Sequence, residues 1–175
     1  DEKRADDLVK RNFSADRPDQ LWVSDFTYIQ THSGWVYTAF IIDVFSRAIV
    51  GWKVSTRMNT DMVLDALEQA LHDRGMPKNV IHHSDRGVQY LSIRYTNRLE
   101  AANLRASVGT TGDSYDNALA ETVNGLYKTE VIEYLKADWQ GLADVQLATL
   151  NWVDWFNKKR VHSALGYVSP FEFEA

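Results

Sequence analysis

The chain has 175 residues, of which 45% are hydrophobic, so it has enough apolar side chain for one well-buried core and one main domain is expected. It contains no cysteine, which excludes a disulfide framework, a thiol nucleophile and a cysteine-type zinc site. Its 19 basic residues are outnumbered by 24 acidic ones, an unusual balance for a protein that binds nucleic acid. Divalent cations held by some of the acids would offset that charge.

The cellular setting is predicted from what the chain lacks. No stretch approaches the roughly 20 apolar residues of a membrane span, and the first residues are charged rather than signal-like. We therefore expect a cytoplasmic protein without membrane contact. The chain begins at Asp1 rather than methionine, which suggests a portion of something longer. Residues 1–17 mix charges of both signs and predict an arm or linker, followed by one domain at 18–175.

The first half of the domain has the pattern of strands. Residues 21–29 alternate between two faces, and one face carries Leu21, Val23, Asp25, Thr27 and Ile29. Aspartate is disfavoured in strands, so Asp25 calls for a functional reason. Residues 35–44 and 49–54 are rich in aromatic and β-branched side chains, and with the first strand they predict an antiparallel meander.

Helices and strands then alternate. Asn59 or Thr60 can cap a helix that ends at Gly75. It is followed by a strand at 79–83, a helix from Ser92, a strand at 104–108 and a mobile loop at 109–114. Two further helices are predicted at 116–134 and 141–158, and the second has Val145, Ala148, Trp152 and Trp155 on one stripe. The order β-β-β-α-β-α-β-α-α predicts an α/β fold with a mixed five-stranded sheet flanked by helices. That order is similar to the ribonuclease H fold, which would place Asp25 beside Asp85 and bring Glu121 against them.

Three acids form the candidate site. Between Asp25 and Asp85 lie 59 residues, and between Asp85 and Glu121 lie 35. Cleavage of a phosphodiester needs an activated oxygen nucleophile and a stabilised leaving oxygen, and two hard cations held by carboxylates supply both. Each acid alone also fits a structural role: a strand residue bonded to a backbone amide, a turn residue before Arg86-Gly87, and a solvated helix residue.

Other residues leave alternatives open. His82 and His83 precede Asp85, and either a zinc site or a structural strand end is compatible with them. Lys128 shares a helix face with Asn117 and Glu121, where it either contacts phosphate or is solvated. Lys158, Lys159, Arg160 and His162 form a compact basic cluster that either binds phosphate or complements a helix C-terminus. The six tryptophans are expected mainly in the core.

Several motifs in order carry a resemblance to a known family. They are WVSDFTY at 22–28, DVFSR at 43–47, GW at 51–52, HSDRGVQY at 83–90, GDSYDNA at 112–118, AE at 120–121, LYKTE at 126–130, Asn157, Arg160, HSALGY at 162–167 and SP at 169–170. Over residues 18–174 the chain resembles the integrase core of bacterial insertion-sequence transposases, relatives of the retroviral integrases.

The resemblance implies an Asp-Asp-Glu transposase that cuts and joins DNA strands at the ends of an insertion sequence. Asp25, Asp85 and Glu121 match the triad that holds two Mg²⁺ or Mn²⁺ ions in that family. Lys128 then becomes a DNA contact, and Asn117, Gln89, Arg86 and Arg160 are further candidates. The expected partners are transposon ends and target DNA, with a multimer forming on DNA at the nucleoid.

The resemblance leaves some questions open. No match exists for the family's N-terminal helix-turn-helix portion, which often comes from an upstream reading frame. A nuclease of the ribonuclease H type that does not transfer strands, and a transposase-derived DNA-binding module without turnover, remain alternatives.

Overall fold

The computed structural model describes residues 14–84, 93–108, 118–134 and 138–175. Several sequence predictions concern residues outside these ranges: the acid Asp85, the candidate DNA contacts Arg86, Gln89 and Asn117, the helix cap Ser92, the loop at 109–114 and most of the charged arm. They stay predictions.

A single mixed sheet forms the centre of the domain. Its strands are β1 (Leu21–Thr31), β2 (Gly34–Asp43), β3 (Ile49–Ser55), β4 (Ile81–Ser84) and β5 (Arg105–Val108), arranged in the order β3-β2-β1-β4-β5. The first three strands form the predicted antiparallel meander. β4 runs parallel to β1, and β5 runs parallel to β4. The five-stranded mixed sheet is thus confirmed.

The helices are α1 (Thr60–Asp73), α2 (Ile93–Ala101), α3 (Ala118–Tyr127), α4 (Leu142–Lys158) and α5 (Pro170–Glu174). A π-helical segment, Lys128–Glu133, continues α3, and a 3₁₀ turn, Ser163–Leu165, precedes α5. Asn59 caps α1 as predicted, because its side-chain oxygen accepts the N–H of Met62 at 3.1 Å. Among the described residues, no helix combines the length and apolar character needed to cross a membrane.

The alternation of β1 divides the core into two layers. Leu21, Val23 and Ile29 point to the layer that contains Tyr127 of α3 and Trp152 of α4. The intervening residues, beginning with Trp22, point to the layer built from α1, α2 and their neighbours. By this alternation Asp25 lies on the face covered by α3. The predicted division of β1 into two faces is confirmed.

Some boundaries differ from the predictions. β4 begins at Ile81 rather than at residue 79, because Asn79 adopts a left-handed conformation with φ of 63° and bonds to Asn103 instead. The predicted helix at 116–134 is α-helical only to Tyr127 and continues as the π segment. Trp155 was expected on the buried stripe of α4 but is 43% exposed. Val145 and Trp152 of that stripe are buried, and the buried surface of α4 extends beyond them to Thr149, Val153 and Phe156.

Candidate active site

Asp25 lies in the middle of β1, at the point where one neighbouring strand stops. On one side Asp25 is registered with Phe40 of β2. On the other side, within the described residues, β1 pairs with β4 only as far as Ser24, which lies opposite Ser84. The next residues in sequence after this pair are Asp25 and Asp85. The sheet therefore brings the two segments that lead into the first two predicted acids side by side.

Helix α3 brings Glu121 to the same place. Its buried side chains Ala120, Val123 and Tyr127 face the sheet, and the Tyr127 hydroxyl lies 3.2 Å from Thr38 Oγ1 of β2 and 2.7 Å from Thr149 Oγ1 of α4. This anchoring fixes the rotation of α3, and Glu121, next to buried Ala120, is exposed. The charge of Glu121 is close enough to act on Asp25.

The pKa of the Asp25 carboxyl is raised above its ordinary value. Burial is the largest cause, and the negative charge of Glu121 adds to it. Hydrogen bonds from the Phe26 backbone N–H, at 2.8 Å, and from the Asn124 side chain act in the opposite direction but do not cancel the rise. Burial and the nearby carboxylate of Glu121 thus disfavour the charged form of Asp25, and a cation bound beside it would offset both effects.

Asn124 is a site residue that the sequence reasoning missed. It follows Glu121 by three positions and so lies on the same side of α3. Its side chain stabilises the ionised form of Asp25, while its own Oδ1 is buried and has no hydrogen-bond partner among the residues that the structure describes. A buried acceptor without a partner carries a free-energy cost unless something binds to it. The spacing of three from Glu121 was the signal that could have pointed to it.

The donor set fits a hard divalent cation. Asp25 and Glu121 supply carboxylate oxygens that lie close enough to interact electrostatically; oxygen ligands are what Mg²⁺ and Mn²⁺ prefer. In the described part of the chain no three acidic or histidine side chains form a complete metal-binding group. The third predicted ligand, Asp85, lies outside that part.

His82, one of the two histidines of the zinc alternative, has the surroundings of a structural residue. His82 is buried on the opposite face of the sheet from Asp25, with its Nε2 2.7 Å from Ser24 Oγ and 2.9 Å from Tyr95 Oη. Burial, followed by the neighbouring His83, lowers the pKa of His82 to about 3. A neutral imidazole engaged by two hydroxyl groups serves as a structural link between β1, β4 and α2.

The two described candidates for DNA contact have different surroundings. Lys128, the first residue of the π segment, is exposed, and its Nζ lies 5.5 Å from the centroid of the Tyr28 ring. Arg160 forms a bidentate ion pair with Glu130, with the shortest N–O distance 2.6 Å, and stacks over Phe156. Lys158 pairs with Asp154 at 2.8 Å. Of these two predicted DNA contacts, Lys128 is the one that extends from the helix carrying Glu121.

A cavity of about 790 Å³ lies elsewhere, between the π segment and α4, and is lined by apolar side chains such as Trp139, Leu147 and Trp155. Neither Asp25 nor Glu121 lines it.

The fold and the site together define the class. A mixed five-stranded sheet in this order, with an acid in the central strand and another on the helix that covers it, is a ribonuclease H-like domain. Comparison of the sequence with protein families gives the family: residues 15–114 and residues 102–170 match two models described as "Integrase core domain". The chain belongs to the integrase core domain family.

Similar sequences carry transposase names. The chain is 58% identical over 170 residues to the transposase for insertion sequence element IS629 of Shigella sonnei, covering 97% of this chain and 56% of that protein. It is 38% identical over 172 residues to transposase InsF for insertion sequence IS3A of Escherichia coli K12, covering 97% of this chain and 59% of that protein. The chain thus spans somewhat over half the length of these curated relatives.

Solved structures confirm the fold. The chain is similar to one in the simian T-cell lymphotropic virus intasome complex with the PP2A regulatory subunit B56 gamma, with a TM-score of 0.79, 16% identity and coverage of 92% of this chain and 56% of that one. It is also similar to the HTLV-2 integrase catalytic core domain in complex with magnesium, with a TM-score of 0.71, 18% identity and coverage of 91% and 98%.

Proposed function

We propose that the chain is the catalytic domain of a DNA transposase that cleaves and joins DNA strands at the ends of an insertion sequence. The observation that carries this proposal is the meeting of Asp25 and Glu121, two acids 96 positions apart in sequence, at the end of the β1–β4 pairing. Asp85, the residue after the last paired residue of β4, is proposed as the third acid. The transposase names of the relatives support the choice of reaction.

The proposed cofactor is a pair of Mg²⁺ or Mn²⁺ ions held by Asp25, Asp85 and Glu121. When bound, such ions supply the activation of the attacking oxygen and the stabilisation of the leaving oxygen. The chain's own contribution is to hold the carboxylates close while they are charged. Asn124 donates a hydrogen bond that favours the ionised form of Asp25, whereas burial and the charge of Glu121 favour the protonated form, so a bound cation would offset the rise in the pKa of Asp25. The magnesium named in the HTLV-2 core structure supports this assignment.

The proposed reaction has two displacements at phosphorus. In the first, the oxygen of water forms a bond to the phosphorus at the element's end, the bond to the 3′-oxygen breaks, and a free 3′-hydroxyl is left. In the second, that hydroxyl attacks a phosphorus of another strand and displaces its 3′-oxygen. Both steps exchange one phosphodiester or water oxygen for another, so no oxidant or energy carrier is consumed.

We propose DNA at both the element's ends and the target as the partner, with Lys128, Asn117, Gln89, Arg86 and Arg160 as contacts. Among them Lys128 has the best-supported position, because it extends from the helix that carries Glu121. Arg160 could reach phosphate only by giving up its ion pair with Glu130. A multimer on DNA is also proposed, since HTLV-2 integrase cores form both dimers and trimers.

The longer relatives suggest the wider setting. We propose that end recognition belongs to a helix-turn-helix portion outside this chain or to an upstream-frame protein, with residues 1–17 as the charged connection and 18–175 as the catalytic domain. We further propose that it acts in the bacterial cytoplasm, at the nucleoid, and the bacterial origin of the relatives supports the bacterial setting.

Product analysis tests the proposal. The full-length protein is incubated with Mg²⁺ or Mn²⁺ and a labelled duplex that carries the element's end, and the products are sized. We expect nicked end strands and strands joined to target DNA, both lost in Asp25→Asn and Glu121→Gln and retained in the surface control Asp154→Asn. Cleavage without joined products would favour the nuclease alternative. Binding without metal-dependent cleavage, unchanged by the acid substitutions, would favour the non-catalytic module.

A further inference from the structure

Two large aromatic side chains are exposed next to the candidate active site. Tyr28 of β1 is 55% exposed and Trp35 of β2 is 49% exposed. Their rings meet edge to face with centroids 5.3 Å apart, and the Lys128 ammonium lies 5.5 Å from the Tyr28 centroid. We call Tyr28, Trp35 and Lys128 the aromatic patch.

Packing among the residues that the structure describes does not account for the aromatic patch. Tyr28 and Trp35 are diagonal cross-strand neighbours, since Trp35 is registered with Gln30, two residues after Tyr28. A pair of this kind steadies the hairpin but leaves about half of each ring in water, whereas Trp22 and Trp152 are buried. Among the described residues no carboxylate is within ion-pairing distance of Lys128. Two exposed rings with a cation above them, and no described carboxylate paired with that cation, form a surface that can bind a ligand.

The position of the aromatic patch ties it to the acids. Tyr28 follows Asp25 by three residues on the same strand, roughly 10 Å along it. Lys128 follows Glu121 by seven residues, about two helical turns or roughly 10 Å. Because of the alternation in β1, Tyr28 points to the opposite face from Asp25. Lys128 nevertheless lies over the Tyr28 ring, and within the described residues the pairing of β1 with β4 does not extend beyond Ser24. The aromatic patch is thus roughly 10 Å from the acids along β1 and along the helix, and its rings lie on the opposite face of β1 from Asp25.

We propose that the aromatic patch binds an unpaired DNA base next to the scissile phosphate, an inference that rests on the proposed transposase function. Tyr28 and Trp35 provide the stacking surface, and Lys128 contacts the phosphate of the same nucleotide. Because the rings lie on the opposite face of β1 from Asp25, they suit a nucleotide drawn out of the duplex rather than the nucleotide that is cut. In the absence of DNA, Lys128 covers the Tyr28 ring, and a stacked base replaces it while the ammonium moves to phosphate.

The chemical character of the aromatic patch favours an unpaired DNA base over other ligands. Every base has an aromatic face, so two exposed rings bind a base in a sequence-tolerant way, and each stacked base typically contributes about a fivefold to 100-fold gain in affinity. A lysine beside the rings favours an anionic ligand, and the chain's net charge of −5 makes a local cation of this kind informative. A duplex with all bases paired offers phosphate to Lys128 but no free base to the rings.

Binding measurements with matched DNA test the inference. The full-length protein is titrated, without divalent metal, with a blunt duplex carrying the element's end and with the same duplex forked by two unpaired nucleotides that include the fluorescent base 2-aminopurine. We expect tighter binding to the forked DNA and quenching of 2-aminopurine. Tyr28→Ala and Trp35→Ala should each weaken forked binding at least fivefold and relieve the quenching, with blunt binding changed less than twofold.

The control variants separate stacking from folding and from charge. Tyr28→Phe keeps the ring and should retain both signals, and Trp155→Ala removes an exposed tryptophan on α4, so it should change neither. Lys128→Ala should weaken binding to both DNAs and reduce the slope of log affinity against log salt by about one. Equal losses on forked and blunt DNA in the ring variants, or no loss at all, would overturn the inference.

A second measurement needs no variant and separates the two proposals. Photocrosslinking of wild-type protein to forked DNA with 5-iodouracil at the unpaired position should attach Tyr28 or Trp35, read by mass spectrometry; attachment only elsewhere contradicts the inference. Metal-dependent cleavage is assayed in parallel. Cleavage with no role for the rings rejects the aromatic patch alone, whereas stacking without any cleavage rejects the proposed function and leaves a single-strand-binding surface.

Discussion

At the scale of single residues, Asp25 carries an electrostatic conflict that the fold does not resolve by itself. Burial and the charge of Glu121 raise its pKa, and the hydrogen bonds from Phe26 and Asn124 offset this only in part. Because the folded state then holds the Asp25 proton more tightly than the unfolded state, ionisation of Asp25 lowers the free energy of unfolding as the pH rises through its folded pKa. Functional sites commonly carry such a stability cost.

Neutralising Asp25 should therefore stabilise the metal-free protein. We expect Asp25→Asn to raise the melting temperature by a few degrees at pH 7, since relief on the order of 1 kcal/mol shifts a domain of this size by about 2–4 °C. The same substitution should abolish the rise that Mg²⁺ or Mn²⁺ produces in the wild type. Differential scanning fluorimetry with and without metal measures both effects. The control Asp65→Asn removes an exposed acid 3.4 Å from Lys53 and should leave the metal effect intact. A lower melting temperature together with an unchanged metal effect would contradict the assignment.

His82 should make the protein less stable as the pH falls below neutral. Its pKa is lowered from 6.5 to about 3, first by burial and then by His83. The unfolded state therefore binds a proton that the folded state excludes, and stability is lost as the pH falls below about 6.5, by roughly 1.4 kcal/mol per pH unit. Urea unfolding should give a lower free energy of unfolding at pH 5 than at pH 7. His82→Gln should remove the contribution of His82 to this pH dependence, roughly 1.4 kcal/mol per pH unit. His72→Gln, at an exposed histidine, should leave the slope as it is; equal slopes in all three proteins would show that His82 does not titrate as described.

At the scale of elements, α3 and β1 make the site, and the sequence predicted both for different reasons. The strand followed from the alternation around Asp25, and the helix followed from its apolar spacing. Where α3 becomes a π helix at Lys128 could not be predicted, because that change depends on packing against α4 and the sheet rather than on local preference. Hydrogen bonds from the Thr129 hydroxyl to the backbone oxygens of Gly125 and Leu126 accompany this change.

Two other misses have equally local causes. Helix α4 has apolar residues on more than one face, with Leu147 and Leu150 exposed alongside Trp155, so its periodicity did not fix which stripe is buried. The ion pair of Arg160 with Glu130 joins residues 30 apart, and a charge run in sequence gives no sign of such a partner. Asn124 was missed because a single amide on a helix has no pattern of its own until Asp25 is placed beside it.

The contact of β3 with α1 is set by one glycine. A β-carbon at Gly51 would lie 2.4 Å from the backbone oxygen of Ala66 and 3.0 Å from the β-carbon of Ala70. We expect Gly51→Ala to destabilise the protein by about 1–3 kcal/mol, as overpacked cores do. Gly125→Ala is the matched control, because a β-carbon there meets nothing within 4 Å and alanine is the better helix former by up to about 1 kcal/mol. Chemical denaturation measures both; equal stability of the Gly51 variant and the wild type would show that the two elements pack less closely.

At the scale of the whole molecule, Arg74 joins the two ends of the domain. Its guanidinium binds Asp19 ahead of β1 at 2.8 Å and Glu174 of α5 at 2.7 Å, and Asp19 in turn donates its backbone N–H to Asp43 at 2.7 Å. The Arg74 side chain is mostly buried, so these partners compensate a charge that would otherwise be costly. The sheet is thereby closed at the end where β1 begins.

Removing one partner of Arg74 should weaken the entire domain. We expect Glu174→Gln to lower the free energy of unfolding by about 1–3 kcal/mol, because a partly buried guanidinium loses a charged partner. Asp154→Asn, which breaks the exposed pair with Lys158, should cost about 0.5 kcal/mol or less. Urea denaturation of the two variants checks the contrast. If both lose the same small amount, the Arg74 cluster does not stabilise the domain as inferred.

The central claim is that Asp25, Asp85 and Glu121 together hold divalent cations for DNA chemistry. The most direct measurement is a crystal structure of the full-length protein with the element's end DNA and Mn²⁺, using the anomalous signal of manganese to locate the ions. We expect anomalous peaks in contact with the carboxylates of Asp25, Asp85 and Glu121, beside a DNA phosphate. Manganese bound only elsewhere, with Asp25 and Glu121 facing apart beside bound DNA, would contradict it.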